Sequence, residues 1–145
     1  MNRSGMAAFQ VTLGGSVVSD GQFEVTAAGP GLFVAAAASA AQPGAVLNQD
    51  NTLNTAATPA ARGSLVQIFA TGYGRLDTSG SAPVSVWIAN RPAEVLYSGP
   101  APGVDGLWQI NARVPADTAI TKQVPLFISA EGLASNGVTI YASDP

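Results

Sequence analysis

The chain has 145 residues, enough for one domain with a sizeable core; 47% are hydrophobic and only 10% charged, against roughly 25% charged in an average soluble domain. A net charge of −3 with six scattered cationic residues argues against a nucleic-acid partner, and no apolar run reaches the roughly 18 residues that span a membrane. With no histidine and no cysteine, imidazole bases, thiol nucleophiles, disulfides and most metal-ligand sets are removed, while 16 glycines and 10 prolines suit short strands joined by tight turns.

Taken in chain order, Met1 to Met6 lacks the apolar core of a signal peptide. Phe9, Val11 and Leu13 alternate with polar or small residues, Gly14-Gly15 and Asp20-Gly21 mark a turn region, and Phe23 and Val25 resume the alternation, which predicts a hairpin. Gly29-Pro30-Gly31 punctuates the chain before a short strand at Leu32 to Val34 and an alanine-rich stretch at 35–41. That stretch has helical propensity but is too short to hold a helix unaided. Val46-Leu47 and Thr52-Leu53 flank Asn48 to Asn51, a second hairpin-like signal, and 56–63 reads as a loop.

Ser64 to Thr71 is the clearest strand. Val66, Ile68 and Ala70 point one way and Leu65, Gln67 and Phe69 the other. After a Gly/Ser/Thr-rich loop at 72–83, Val84, Val86 and Ile88 share a face opposite Trp87. Asn90-Arg91-Pro92 turns the chain into a strand at 93–97, followed by a loop at 98–106. Trp108, Ile110, Ala112 and Val114 then share a core face. Strands at 124–130 and 137–141 form a closing hairpin. Together these elements predict an all-β fold, an antiparallel β-sandwich.

The two ends resemble each other. Val17-Val18-Ser19-Asp20-Gly21 matches Leu133-Ala134-Ser135-Asn136-Gly137, each block lies between apolar stretches, and each second stretch runs out in a proline, Pro30 or Pro145. A domain preceded by a copy of its own ending reads as cut from a row of modules. The expected division is therefore 1–28 as a hairpin, the tail of a preceding module, and 29–145 as the sandwich.

The run Leu96-Tyr97-Ser98-Gly99-Pro100-Ala101-Pro102-Gly103, then Gly106 to Asn111 and Val114-Pro115, carries a family likeness, as do Gly29 to Phe33, Leu47 to Asp50, Arg62 to Ser64 and Ala70 to Gly72. Over Gly29 to Ala142 the chain resembles a family of uncharacterised C-terminal domains of large secreted proteins from Acidobacteria of the Solibacter type. The resemblance implies an immunoglobulin-like sandwich and an extracellular or cell-surface location, and it implies no reaction. The chain departs from the family pattern in carrying the extra hairpin before Gly29.

Few residues carry chemistry. A Ser-Lys dyad would have to use Lys122, the single lysine, which follows Asp117-Thr118 in a polar turn. Paired carboxylates suffice for glycoside hydrolysis, but most of the nine acids fall in turns, where aspartate caps backbone N–H groups. Asn48, Asp50, Thr52 and Asn54 place oxygens at alternate positions, as at the start of a calcium loop. The central glycine and closing glutamate of such a loop are missing, and the same residues make ordinary hairpin turns. Gly72-Tyr73-Gly74 is too short for a dinucleotide fingerprint. Leu65, Phe69 and Trp87 leave the main core and require a cover: the N-terminal hairpin or a loop of this chain, or a partner or ligand.

Three functions fit this pattern. The leading one is a non-catalytic structural or adhesive module of a larger secreted or cell-surface bacterial protein. Its partners would be the neighbouring modules, with a homo-oligomer formed by strand exchange through a hinge at Gly29-Pro30-Gly31. The alternatives are a carbohydrate-binding module using Trp87, Tyr73 or Tyr97, and a small hydrolase using carboxylates or a bound metal.

Overall fold

The computed structural model describes residues 5–36, 39–117 and 123–145. Lys122 lies outside them. The first elements, β1 (Gly5–Leu13) and β2 (Ser16–Val25), pair antiparallel with each other and with no other strand among the described residues. The rest of the chain forms two sheets. One has the order β3 (Gly31–Leu32), β6 (Leu65–Thr71), β10 (Trp108–Arg113), β9 (Val95–Pro100), with β4 (Val46–Asn48) also on β6. The other has the order β5 (Ala60–Ala61), β13 (Val138–Ser143), β11 (Gln123–Ala130), β7 (Ser85–Ile88), β8 (Arg91–Ala93), with β12 (Leu133–Ala134) beside β11.

The period-two pattern places the core. Val66, Ile68 and Ala70 of β6 and Trp108, Ile110 and Ala112 of β10 face Val86 and Ile88 of β7, Val124, Leu126 and Ile128 of β11, and Ile140 of β13 in one cluster. Alternation works because successive side chains leave opposite sides of a strand, so one apolar set closes the space between the sheets. Trp108 is fully buried. Its Nε1 donates to Ser98 Oγ at 2.9 Å, and the Tyr73 ring meets it edge-on at 5.9 Å. The indole N–H thus has a partner where water is absent.

The structure departs from the sequence expectations in several places. The chain at 56–63 is not wholly loop: Ala60–Ala61 pairs parallel with Ala142 and Ser143, and with the parallel bridge of Pro43 to Thr139 this departs from the expected antiparallel pairing. The ninth strand runs on to Pro100, because Ser98 faces the core and serves Trp108. No helix forms among the described residues of 35–41. Leu65 and Phe69 lie on the outer side of β6, whereas Trp87 lies on the outer side of β7, in the other sheet. Parity along a strand tells inside from outside but not which sheet, so the three do not form one patch. Among the described residues the hairpin pairs with neither sheet. The expected hinge is anchored: Ala28 and Pro30 are buried, Gly29 N–H donates to Gly72 O at 2.9 Å, and Gly31 pairs with Thr71.

Candidate interaction surface

The hairpin turns through Gly14 (φ 58°) and Gly15 (φ 80°), two left-handed residues that match the twist of the paired strands. Side chains opposite one another share a side, so Ala7, Phe9, Val11, Leu13, Phe23 and Val25 form one face, and the other carries Gln10, Thr12, Asp20, Gln22 and Glu24 with Met6, Ala8 and Val17 among them. The apolar face is open: Leu13 is 74% exposed, Phe23 52% and Phe9 43%. A lone two-stranded ribbon is marginal in water, and an apolar face on one marks a contact surface.

The same construction recurs at the other end of the chain. The turn after β11 passes through Glu131 (φ 51°) and Gly132 (φ 79°). There Ala130 faces Leu133 and Ser129 faces Ala134, and the return strand takes up one extra residue before Leu126 faces Val138. In the first hairpin Leu13 faces Ser16 and Thr12 faces Val17, Val18 is the extra residue, and Val11 faces Ser19. Turn, two pairs and bulge coincide. In this register Phe9 stands where Leu126 stands, Val11 where Ile128, Leu13 where Ala130, Phe23 where Ile140 and Val25 where Ala142; the second member of every pair is buried. Gly21 stands where Val138 stands. A Cβ on Gly21 would lie 2.8 Å from the Phe9 ring, so a large-small pair replaces a medium-medium one in similar volume. The sequence match that aligns Asp20-Gly21 with Asn136-Gly137 is one residue out of this structural register.

The hairpin leaves through a backbone clamp. A Cβ on Gly72 (φ +76°) would sit 1.9 Å from Gly29 O, and one on Gly74 (φ +72°) 2.0 Å from Ala27 O. Only glycine permits that approach at that φ. Gly72-Tyr73-Gly74 and Gly29-Pro30-Gly31, two separate motifs in the sequence, are the two halves of one joint.

Compared with family models, curated proteins and solved structures, the chain matches none.

The alternating set Asn48, Asp50, Thr52 and Asn54 is brought together as a chain of hydrogen bonds. Asn54 Nδ2 donates to Asn48 Oδ1 and to Tyr141 O, both at 2.9 Å, and Tyr141 N–H donates back to Asn54 Oδ1 at 2.7 Å. Asn48 Nδ2 donates to Thr52 Oγ1 at 3.0 Å and to Thr58 O at 2.8 Å. Asp50 accepts from the Thr52 hydroxyl at 2.7 Å and from its N–H at 3.0 Å; those bonds, the hydroxyl first, hold its carboxyl below the ordinary aspartate range. Asn48 and Asn54 are buried, and their oxygens accept from within the protein. The set ties the turn after β4 to β13, and it brings a single carboxylate to the open concavity of about 530 Å³ beside Thr58, Pro59 and Ser64.

Trp87 stacks on Phe127, with ring centroids 6.0 Å apart and 5° between planes, and pairs with Pro92 across the strand. Three residues of neighbouring strands thus cover one another. Tyr97 lies on the other sheet over Gly99 and donates to Pro100 O at 2.6 Å, and Tyr73 packs on Trp108, so the aromatic candidates occupy three separate places. Among the acids, Asp77 caps its own turn. It is held below the ordinary range by the Ser79 hydroxyl and then by Ser81 N–H. Glu94 pairs with Arg113 at 2.9 Å, Asp117 with Arg91 at 3.5 Å, and Asp144 with Arg62. Among the described residues no three acids gather at one point, and no helix is long and apolar enough to cross a membrane.

Proposed function

We propose that the chain is a non-catalytic structural or adhesive module, immunoglobulin-like in topology, of a larger secreted or cell-surface bacterial protein, and that its N-terminal hairpin connects it to a neighbouring module. The observation that carries this reading is the hairpin's apolar face, open to solvent and built to the turn, bulge and register of the module's own closing strands. The strand orders support the immunoglobulin-like assignment. Across the sheet, β4, β6, β10 and β9 occupy the places of A, B, E and D, and β7, β11 and β13 those of C, F and G in the other sheet. The likeness of Gly29 to Ala142 to domains of large secreted acidobacterial proteins supports the location. A second reading, a carbohydrate-binding module, draws on Tyr97, 40% exposed beside the amides of Gln109 and Asn111.

The test is to incubate the full chain with a panel of insoluble polysaccharides and with hydrolase substrates, with and without chelator. Neither retention nor turnover is expected. Retention on one polysaccharide that is lost in Tyr97→Ala would replace the structural reading with the second, and chelator-sensitive turnover would replace both.

A further inference from the structure

We propose that the partner of the hairpin is a β-sandwich module of this chain's own kind that lacks its closing strands, and that β1 and β2 enter it as its β11 and β13. The proposal rests on the connector reading above and adds the identity and register of the acceptor. Four observations meet in it. The turn and the one-residue bulge are those of the closing hairpin. Phe9, Val11, Leu13, Phe23 and Val25 each have a buried counterpart at the same step of β11–β13, whereas Met6, Val17 and Val18, also exposed, stand where Gln123, Ala134 and Ser135 are not buried. Polar residues Gln10, Thr12, Gln22 and Glu24 stand where Phe127, Ser129, Thr139 and Tyr141 face outward. Both long edges of the hairpin are unpaired among the described residues, whereas β11 pairs with β7 and β13 with β5.

The register follows. In the acceptor, β1 lies antiparallel to a β7-type strand, with Phe9 facing the residue equivalent to Ile88 and Val11 that equivalent to Val86, while β2 lies parallel to a β5-type strand at Val25. A second copy of this chain offers no such slot, because its own β11 already occupies β7 and its own β13 occupies β5. Free strand edges and one apolar face are the two needs of a strand pair, and a sandwich missing its last two strands meets both at once.

The experiment uses the 145-residue chain and a fusion that places a second copy of residues 29–122 directly ahead of Met6–Pro145. In that fusion the upstream copy has β1–β2 as its only available closing pair. A control fusion whose upstream copy keeps residues 123–143 establishes that the copy folds in tandem. The expected result is that the chain alone sediments as a monomer with rapidly exchanging amides on the outer edges of β1 and β2. In the fusion those amides become protected and the upstream copy resists protease. Phe9→Lys with Phe23→Lys then unfolds the upstream copy and leaves the downstream sandwich intact, and Gln10→Lys with Gln22→Lys leaves both folded. If the upstream copy is digested in the test fusion but not in the control, the hairpin does not close a sandwich and the proposal fails. If the chain alone forms a dimer that Phe9→Lys dissolves, the occupant is a second copy, and the proposed acceptor is wrong although the connector reading survives. Retention on a polysaccharide that Tyr97→Ala abolishes, by contrast, would overturn the structural-module reading without touching the closure result.

Discussion

Asn54→Ala tests how the loop after β4 is tied to the last strand. Asn54 is 4% exposed and serves both backbone groups of Tyr141, accepting from its N–H at 2.7 Å and donating to its carbonyl at 2.9 Å. It thereby acts as a one-residue strand on the edge of β13, just before Ala60–Ala61 takes over at Ala142. Truncation removes both bonds and the one to Asn48. An unsatisfied buried donor or acceptor costs about 1–3 kcal/mol, so with partial rehydration the loss should be about 3 kcal/mol. For a domain of this size that lowers Tm by about 10 °C. Urea unfolding followed by tryptophan fluorescence measures it. Asn48→Ala combined with Asn54→Ala should cost less than the two separate losses together, because the side chains share a bond. A loss below about 1 kcal/mol for Asn54→Ala would refute the idea that this amide stands in for a missing ladder residue.

Trp108→Ala should destabilise by about 3–5 kcal/mol, the usual loss for a fully buried aromatic, and Trp87→Ala by less, since Trp87 is covered on one outer face by Phe127 and Pro92; equal midpoint shifts in urea would contradict that placement. Asp50 and Asp77 titrate below the ordinary aspartate value of 3.8 because of their turn bonds, so the stability they add is complete above that value and lost as pH falls through the lowered ones; Asp50→Asn and Asp77→Asn should each flatten this acid limb in denaturant titrations. Millimolar calcium should leave Tm where chelator leaves it, whereas a site saturated a hundredfold would add about 2.7 kcal/mol; a rise abolished by Asp50→Ala would show that the loop after β4 binds the ion. Gly74→Ala should displace Ala27, speeding hydrogen exchange at Gly29 and protease cleavage at 26–29 while the core stays folded; unchanged exchange would mean that the joint tolerates a side chain.

The central strands were legible because period two writes burial directly into sequence. Val66-Ile68-Ala70 and Trp108-Ile110-Ala112-Val114 are buried as the alternation requires. Short edge pieces were legible only in part. Ala60–Ala61, expected as loop, carries too few residues for a period; the sequence predicts a strand at Leu32 to Val34, but which strands these pieces join is set by what β6 and β13 leave open. Alternation turns Leu65, Phe69 and Trp87 away from the core but does not say that β6 and β7 lie in different sheets, since sheet membership depends on crossovers that no single strand encodes. The Asn48–Asn54 pair looked like an ion loop because alternate oxygens serve a cation or a buried amide network equally well. The joint was hidden for a different reason: glycine signals that a backbone must come close, not which one. Gly72 and Gly74 meet a segment far upstream in sequence.

That joint has a mechanical consequence. Where Gly72 and Gly74 receive Ala27 and Gly29, main chain lies against main chain with no side chain between to bend or repack. Pro30, buried one step later, takes away much of the torsional freedom that a linker needs. If the hairpin belongs to one sandwich and the clamp to the next, successive modules keep a fixed pitch and azimuth, as blocks keyed to one another do. The end-to-end length of such an assembly would then grow in proportion to the number of modules, rather than with its square root as for domains strung on flexible links.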